Sequence, residues 1–181
     1  EFLLKPIETS LKGCYLINST IHQDKRGSFV KTFHEDTFYD EGLETHFAEE
    51  YFSVSTQGVL RGMHFQIPPH DHSKLVYCVY GKVFDAVVDL RVSSSTYGKY
   101  DTTELDSETI NVLYIPAGLA HGFYTISERA IMIYKVATMY SPEYDTGILW
   151  NSLEIPWPNE NPIISDRDSQ FIEFDQFKSP F

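Results

Sequence analysis

The segment "KLVYCVYGKVFDAVVDLR", residues 74–91, decides the fold. Two runs of valine and aromatic residues flank Tyr80-Gly81-Lys82. β-Branched and aromatic residues favour the pleated strand, and a glycine between two such runs signals a hairpin. In the second run Val83, Asp85, Val87, Asp89 and Arg91 fall on one face. Phe84, Ala86, Val88 and Leu90 fall on the other, because successive strand side chains point to opposite sides. Downstream, "INVLYIPAGLAHGFYTI" (110–126) predicts two short strands around a Pro-Ala-Gly turn. "RAIMIYKVATMY" (129–140) predicts another, with Met132, Tyr134 and Val136 pointing the same way. Upstream, "HEDTFYDEG" (34–42) predicts one short helix ending at Gly42. The tail from about residue 142 is rich in Pro, Asn and Asp. It is expected to form loops and short helical turns that cover sheet edges. Many short strands punctuated by Gly and Pro predict an all-β antiparallel sandwich or barrel with few helices.

With 181 residues the chain is long enough for one well-buried domain, taken as 1–181. The net charge of −12 argues against a nucleic-acid or anionic-membrane partner, since both need a basic surface. A small anionic ligand needs only a local cluster of Arg and Lys. The two cysteines, Cys14 and Cys78, form no C-x-x-C, so they are expected as buried free thiols in a cytoplasmic protein. No apolar run approaches the ~18 residues of a membrane span, and no signal-peptide pattern is legible.

Four of the seven histidines lie in or beside the central strands: His64, His70, His72 and His121. Pro116-Ala-Gly-Leu-Ala-His121 has the spacing of the second cupin motif. Metal-binding cupins place H-x-H and then Glu in the first motif. Here the corresponding stretch is His64-Phe65-Gln66, and no Glu occurs in 67–103. About three protein ligands are needed for a divalent ion, so no metal and no cofactor are expected. His70-Asp71-His72 is an H-x-H in a Pro-rich loop without an acidic partner at the required distance. Arg61, Gln66, Lys74, Asp85, His121 and Tyr134 are polar groups in segments otherwise built for burial. Burying them singly is costly, so together they predict a lined cavity. Strict alternation puts Arg61 and His64 on opposite faces. For both to reach one cavity the strand must break register, and Gly62 is the natural place for a bulge.

The blocks "VLRGMHFQ", "KLVYCVYGKVFDAVVDLR", "STYGKY", "YIPAGLAHGF", "YKVATMYSPEYDTGILWN" and "PIISDRD" occur in that order. Together they resemble the dTDP-4-dehydrorhamnose 3,5-epimerase family, metal-free cupins. The resemblance implies a cupin jelly roll and a homodimer that shares N-terminal strands. It also implies a nucleoside-diphosphate-4-keto-sugar substrate. A 4-keto group acidifies the C–H bonds at C3 and C5, so a base near neutrality is required, and an unperturbed histidine titrates at about 6.5. By resemblance His64 is that base, Asp168 its orienting carboxylate, Lys74 the stabiliser of the enolate at O4, and Tyr134 the acid on the opposite face. His121 assists at the enolate, Tyr140 lines the substrate pocket, and Arg61 and Arg26 hold the pyrophosphate. Gln66 joins the pocket-lining set.

Three stretches depart from the family pattern. "KLVR" is "KLVY", placing Tyr77 where an arginine is usual; "RGxFxE" is "RGSFVK", placing Lys31 where a glutamate is usual; and "QxN" becomes Glu49-Glu50-Tyr51. In the family these positions are expected to hold the thymine end. The changes suggest altered nucleotide recognition, with Glu49 able to accept from guanine N1–H and N2–H2 together. A GDP-linked 4-keto heptose or deoxyhexose for capsule or lipopolysaccharide is therefore expected, epimerised at C3 and C5 or at C3 alone. The alternatives are a 3,4-ketoisomerase of the same sugars, a sugar-binding cupin without turnover, and a metal-dependent dioxygenase.

Overall fold

A computed structural model describes residues 4–181. Thirteen strands are present among them: β1 (Leu4–Glu8), β2 (Tyr15–Ser19), β3 (Ile21–Asp24), β4 (Gly27–Val30), β5 (Glu49–Thr56), β6 (Leu60–Gln66), β7 (Lys74–Tyr80), β8 (Lys82–Asp89), β9 (Tyr100–Asp106), β10 (Asn111–Ile115), β11 (Leu119–Thr125), β12 (Arg129–Val136) and β13 (Asp145–Gly147). Two short helices accompany them, α1 (Glu35–Asp40) and α2 (Asp166–Ser169), with a 3-10 turn at Phe174–Gln176. A six-stranded sheet of order β1-β2-β10-β7-β12-β5 packs on a five-stranded sheet of order β13-β6-β11-β8-β9. The strands β3 and β4 form a separate hairpin. This is the expected cupin jelly-roll sandwich.

Period-two patterning builds the layers. Inward faces meet between the sheets, where Val76, Cys78, Val83, Val87, Leu113, Phe123 and Met132 form one cluster. The outer face of the six-stranded sheet is covered by Phe38 of α1 and by Leu43, which pack against Ile17, Leu75 and Tyr77. The outer face of the five-stranded sheet carries Phe65, Ala86, Val88 and Leu90, and it is covered by Ile148, Ile155, Trp157, Phe174, Phe177 and Phe181 of the tail. Both faces of β7 and β8 are thus buried, which explains why their sequences are apolar almost throughout. The tail does cap the edge of β6 through β13. Its larger role, however, is to cover a sheet face.

The hairpin expected at Gly81 does not form. β7 pairs with β10 and β12, whereas β8 pairs with β11 and β9. The same holds for β10 and β11 on either side of the Pro-Ala-Gly turn, which also lie in different sheets. Gly81 has φ +77°, and a Cβ there would lie 2.1 Å from the Arg129 carbonyl oxygen. The turn is a corner that carries the chain across the sandwich. Local turn chemistry is the same for a hairpin and for such a corner. The short helix stops as expected: Gly42 has φ +69°, and Leu43 N–H donates back to Phe38 O at 2.8 Å.

At one end of β8, buried Asp89 organises the following loop. Its Oδ1 accepts from Arg91 Nε at 2.9 Å, and its Oδ2 accepts from Ser94 Oγ at 2.7 Å and Thr96 Oγ1 at 2.6 Å. Burial pushes the carboxyl up, but the Arg91, Thr96 and Ser94 donors outweigh it and hold the pKa at about 2. The folded pKa lies below the unfolded value of about 3.9, so this stabilisation is full above pH 4 and is lost as pH falls through 2. Asp89→Asn is expected to lose roughly 1–2 kcal/mol of stability at pH 7, after allowing for solvent screening. In urea unfolding the gap to the parent should narrow steadily below pH 4, and a pH-independent gap would assign the effect to packing.

Candidate active site

The site is built around a break in β6. β11 advances two residues, from His121 to Phe123, while its partner β6 uses three, from His64 to Arg61. The extra residue is the bulge expected at Gly62, and it lets Arg61 and His64 line one cavity. Gly62 has φ +141°, and a Cβ there would lie 2.6 Å from Gly122 Cα. Only glycine permits both that conformation and that approach of β11.

The bulge also frees a backbone donor. Gly62 N–H reaches Asp168 Oδ2 at 3.1 Å, and Asp168 Oδ1 lies 2.8 Å from His64 Nε2. Asp168 arrives there by local stitching of the tail. Ile163 N–H donates to Gly58 O at 2.8 Å, and Leu60 N–H donates to Ile163 O at 2.9 Å, which fixes the tail beside the start of β6. Ser165 then caps α2, its Oγ accepting from Asp168 N at 3.1 Å. Burial alone would push the Asp168 carboxyl up. The His64 contact and the Gly62 N–H overcome that and hold it below the usual carboxylate range. His64 is left with Nδ1 as its uncommitted ring nitrogen.

The cavity encloses about 350 Å³, and its walls come from both sheets. That is sugar-sized and within the usual range of small-ligand sites. His64, Gln66 and His121 come from the five-stranded sheet; Glu49, Tyr51, Lys74 and Tyr134 come from the six-stranded sheet. Lys74 is buried and donates to His64 O at 3.1 Å. Burial pushes its amine down to about 8, against the pull of Asp145 and Asp85. Tyr134 is buried, its phenol pushed up by desolvation and partly relieved by the 3.0 Å hydrogen bond with Ser53 Oγ. Tyr51 stacks on it with ring centroids 4.9 Å apart. His121 Nε2 lies 2.7 Å from Asp85 Oδ2, and both side chains are buried. Arg61 donates to Ser55 Oγ at 2.9 Å and lines the cavity. Tyr140 lines it too, and its backbone N–H donates to Glu49 Oε2 at 2.7 Å. Gln66 is pinned, its Oε1 accepting from Ser141 N and its Nε2 donating to His70 O. Among the described residues no cluster of three or more His, Cys, Asp or Glu side chains is placed to hold a metal ion.

Three expected positions lie elsewhere in this chain. Arg26 sits at the tip of the β3–β4 hairpin, exposed and paired with Asp24, and Lys31 follows that hairpin; neither lines the cavity. Tyr77 points to the opposite side of β7 and packs with Phe38 and Leu43. Its replacement of an arginine therefore does not alter this cavity's wall. The cavity is also lined by residues that the sequence does not mark as part of the site: Ser53, His72, Asp145 and Arg167. Strand parity was the missed signal for Ser53, which follows Tyr51 by two within β5; His72 lies in the loop just before β7. Arg167 donates to Asp145 Oδ2 at 2.6 Å, and the bond holds α2 at the mouth.

The sequence profile of the dTDP-4-dehydrorhamnose 3,5-epimerase family matches residues 8–176. The chain belongs to this family. It is an epimerase, a member of the isomerase class. It is 40% identical to the dTDP-4-dehydrorhamnose 3,5-epimerase of Shigella flexneri, over 94% of this chain and 98% of the relative. It is 39% identical to a dTDP-4-dehydrorhamnose 3-epimerase of Streptomyces niveus, over 93% of this chain and 82% of the relative. The solved structure of a Legionella pneumophila dTDP-6-deoxy-D-glucose-3,5-epimerase, in complex with dTDP-4-keto-L-rhamnose, superposes with a TM-score of 0.92. That pair is 33% identical, covering 97% of this chain and 95% of the other.

Gly62→Ala should cost on the order of 1–3 kcal/mol through strain and the clash with β11. It should also separate Asp168 from its backbone donor. Thermal unfolding and a crystal structure test this; an unchanged melting temperature with the His64–Asp168 contact intact would contradict it.

Proposed function

We propose that the chain epimerises a nucleoside-diphosphate-4-keto-6-deoxy sugar at C3 and C5. One observation carries this: an imidazole backed by a carboxylate and a buried phenol, supplied by facing sheets, line one sugar-sized cavity. His64 Nδ1 takes the proton from the carbon beside the keto group, and the electron pair moves to O4 as an enolate. Asp168 stabilises the imidazolium. The Lys74 ammonium, with the His121–Asp85 pair beside it, balances the charge on O4. Tyr134 delivers a proton to the other face of the ring. Its raised pKa keeps it protonated until the enolate draws the proton away. Arg61 serves the pyrophosphate.

The thymidine nucleotide is favoured. The relatives above are named for dTDP sugars. The guanine alternative needs both oxygens of Glu49, and Oε2 would have to serve Tyr140 N–H at the same time. We place the reaction in the cytoplasm, supplying a sugar for a surface polysaccharide such as capsule or lipopolysaccharide. We also propose that the chain works as one catalytic unit in a homodimer. The free edge strand β5, with exposed Phe52 and Val54, and the protruding β3–β4 hairpin, with exposed Phe29, suit a second copy. Such a dimer is the means by which Arg26 and Lys31 would reach a nucleotide.

Incubation with dTDP-4-keto-6-deoxyglucose in D2O, followed by NMR, tests the chemistry. Deuterium should enter at C3 and C5; entry at C3 alone gives the 3-epimerase version, and none removes the catalytic assignment. His64→Ala should abolish exchange. Tyr134→Phe should slow inversion at least ~100-fold while proton removal partly survives. Full activity of either variant would exclude that residue from the mechanism. Binding of dTDP should be tighter than that of GDP at equal salt, and the reverse order would restore the guanine alternative.

A further inference from the structure

His72 has no part in these proton transfers, yet it lines the cavity two residues before Lys74. The hydrogen bonds around it fix where its proton sits. Thr138 Oγ1 lies 2.8 Å from His72 Nδ1 and 3.0 Å from the His70 carbonyl oxygen. The hydroxyl has one proton and the carbonyl none, so Thr138 donates to His70. The short contact with His72 then needs a proton from the ring, and Nδ1–H supplies it. Gln66 Nε2 also lies 3.4 Å from His72 Nδ1, but its two hydrogens have closer carbonyl acceptors in His70 O at 2.8 Å and Met139 O at 3.3 Å. Gln66 Oε1 is committed to Ser141 N–H. The Nδ1 edge of the ring is thus tied to the wall, which makes the Nε2 lone pair the ring's remaining acceptor. Burial, reinforced by the Lys74 ammonium, pushes the imidazole down to about 4, so the ring is neutral near pH 7.

We propose that His72 is a specificity-determining residue whose Nε2 accepts a hydrogen bond from the 3-hydroxyl of the sugar. The assignment of that hydroxyl rests on the proposed function, in which Lys74 faces O4. Of the two carbons flanking C4 in a 6-deoxy sugar, only C3 carries a hydroxyl. A fixed acceptor beside Lys74 therefore selects sugars that keep that hydroxyl and discriminates against 3-deoxy analogues, which would leave the lone pair desolvated and unpaired.

Two measurements test this. Long-range 15N–1H correlation spectra of the free protein should show a pyrrole-type Nδ1 and a pyridine-type Nε2 for His72; the opposite tautomer would overturn the proposal. Binding of dTDP-6-deoxyglucose and its 3-deoxy analogue is then compared in the parent and in His72→Leu. Neither ligand has a keto group, so binding is read without turnover. The parent should lose roughly three- to ten-fold in affinity when the hydroxyl is removed, and His72→Leu should lose nothing. His72→Gln, which offers an amide oxygen, should recover part of the difference. An equal loss in parent and His72→Leu, or no loss in the parent, would contradict the assignment. Should the parent fail to exchange deuterium, the catalytic reading falls while this binding difference remains measurable.

Discussion

The site depends on one contact, the carboxylate of Asp168 held between His64 and the backbone of Gly62. A buried carboxylate is costly unless its oxygens are paired. Here one oxygen meets the imidazole and the other meets an amide released by a β-bulge. The bulge thus does two jobs. It turns His64 and Arg61 into the same cavity, and it supplies the donor that secures the residue orienting His64. Remove the glycine and both arrangements are lost together, because β11 packs against the position where a side chain would stand.

The surrounding jelly roll explains how such polar groups survive inside a β sandwich. Each sheet is covered on its outer face, one by α1 and the other by the C-terminal tail. The apolar cost of folding is met by those layers and by the cluster between the sheets. One end of the interior is thereby left to Lys74, His121, Asp85 and Tyr134. Most of these groups are paired within the wall. Asp85 Oδ1 is the exception, a buried oxygen for which the described residues supply no hydrogen-bond donor. The low amine pKa of Lys74 and the raised phenol pKa of Tyr134 have a common origin in this dry environment. Both are shifted toward their neutral forms, as suits groups that respond when charge develops on a bound sugar.

Much of this was legible in the chain. Strand positions followed from period-two patterning, and the bulge followed from the parity conflict between Arg61 and His64. Parity also turns Tyr77 away from this cavity: it lies an odd number of residues from Lys74 and faces the other side of β7. The crossing at Gly81 was not legible, because a turn sequence carries no information about which sheet receives the next strand. Asp168 could be assigned only through family resemblance. Its arrival at His64 depends on the pairing of Ile163 with Gly58 and on the Ser165 cap, long-range contacts that no spacing encodes. The role of His72 was hidden for a related reason. An isolated H-x-H suggests a metal, and only the proton count around Thr138 turns it into a fixed acceptor.

In the proposed reaction, base and acid address opposite faces of one sugar ring. A crystal structure of the protein with a bound nucleoside-diphosphate-4-keto sugar or a stable analogue tests it most directly. The C3–H bond should be directed at His64 Nδ1, at about 3.5 Å or less, with the Tyr134 hydroxyl on the other side of the ring plane. Both groups on one face of the ring, or a sugar seated beyond reach of the imidazole, would contradict it.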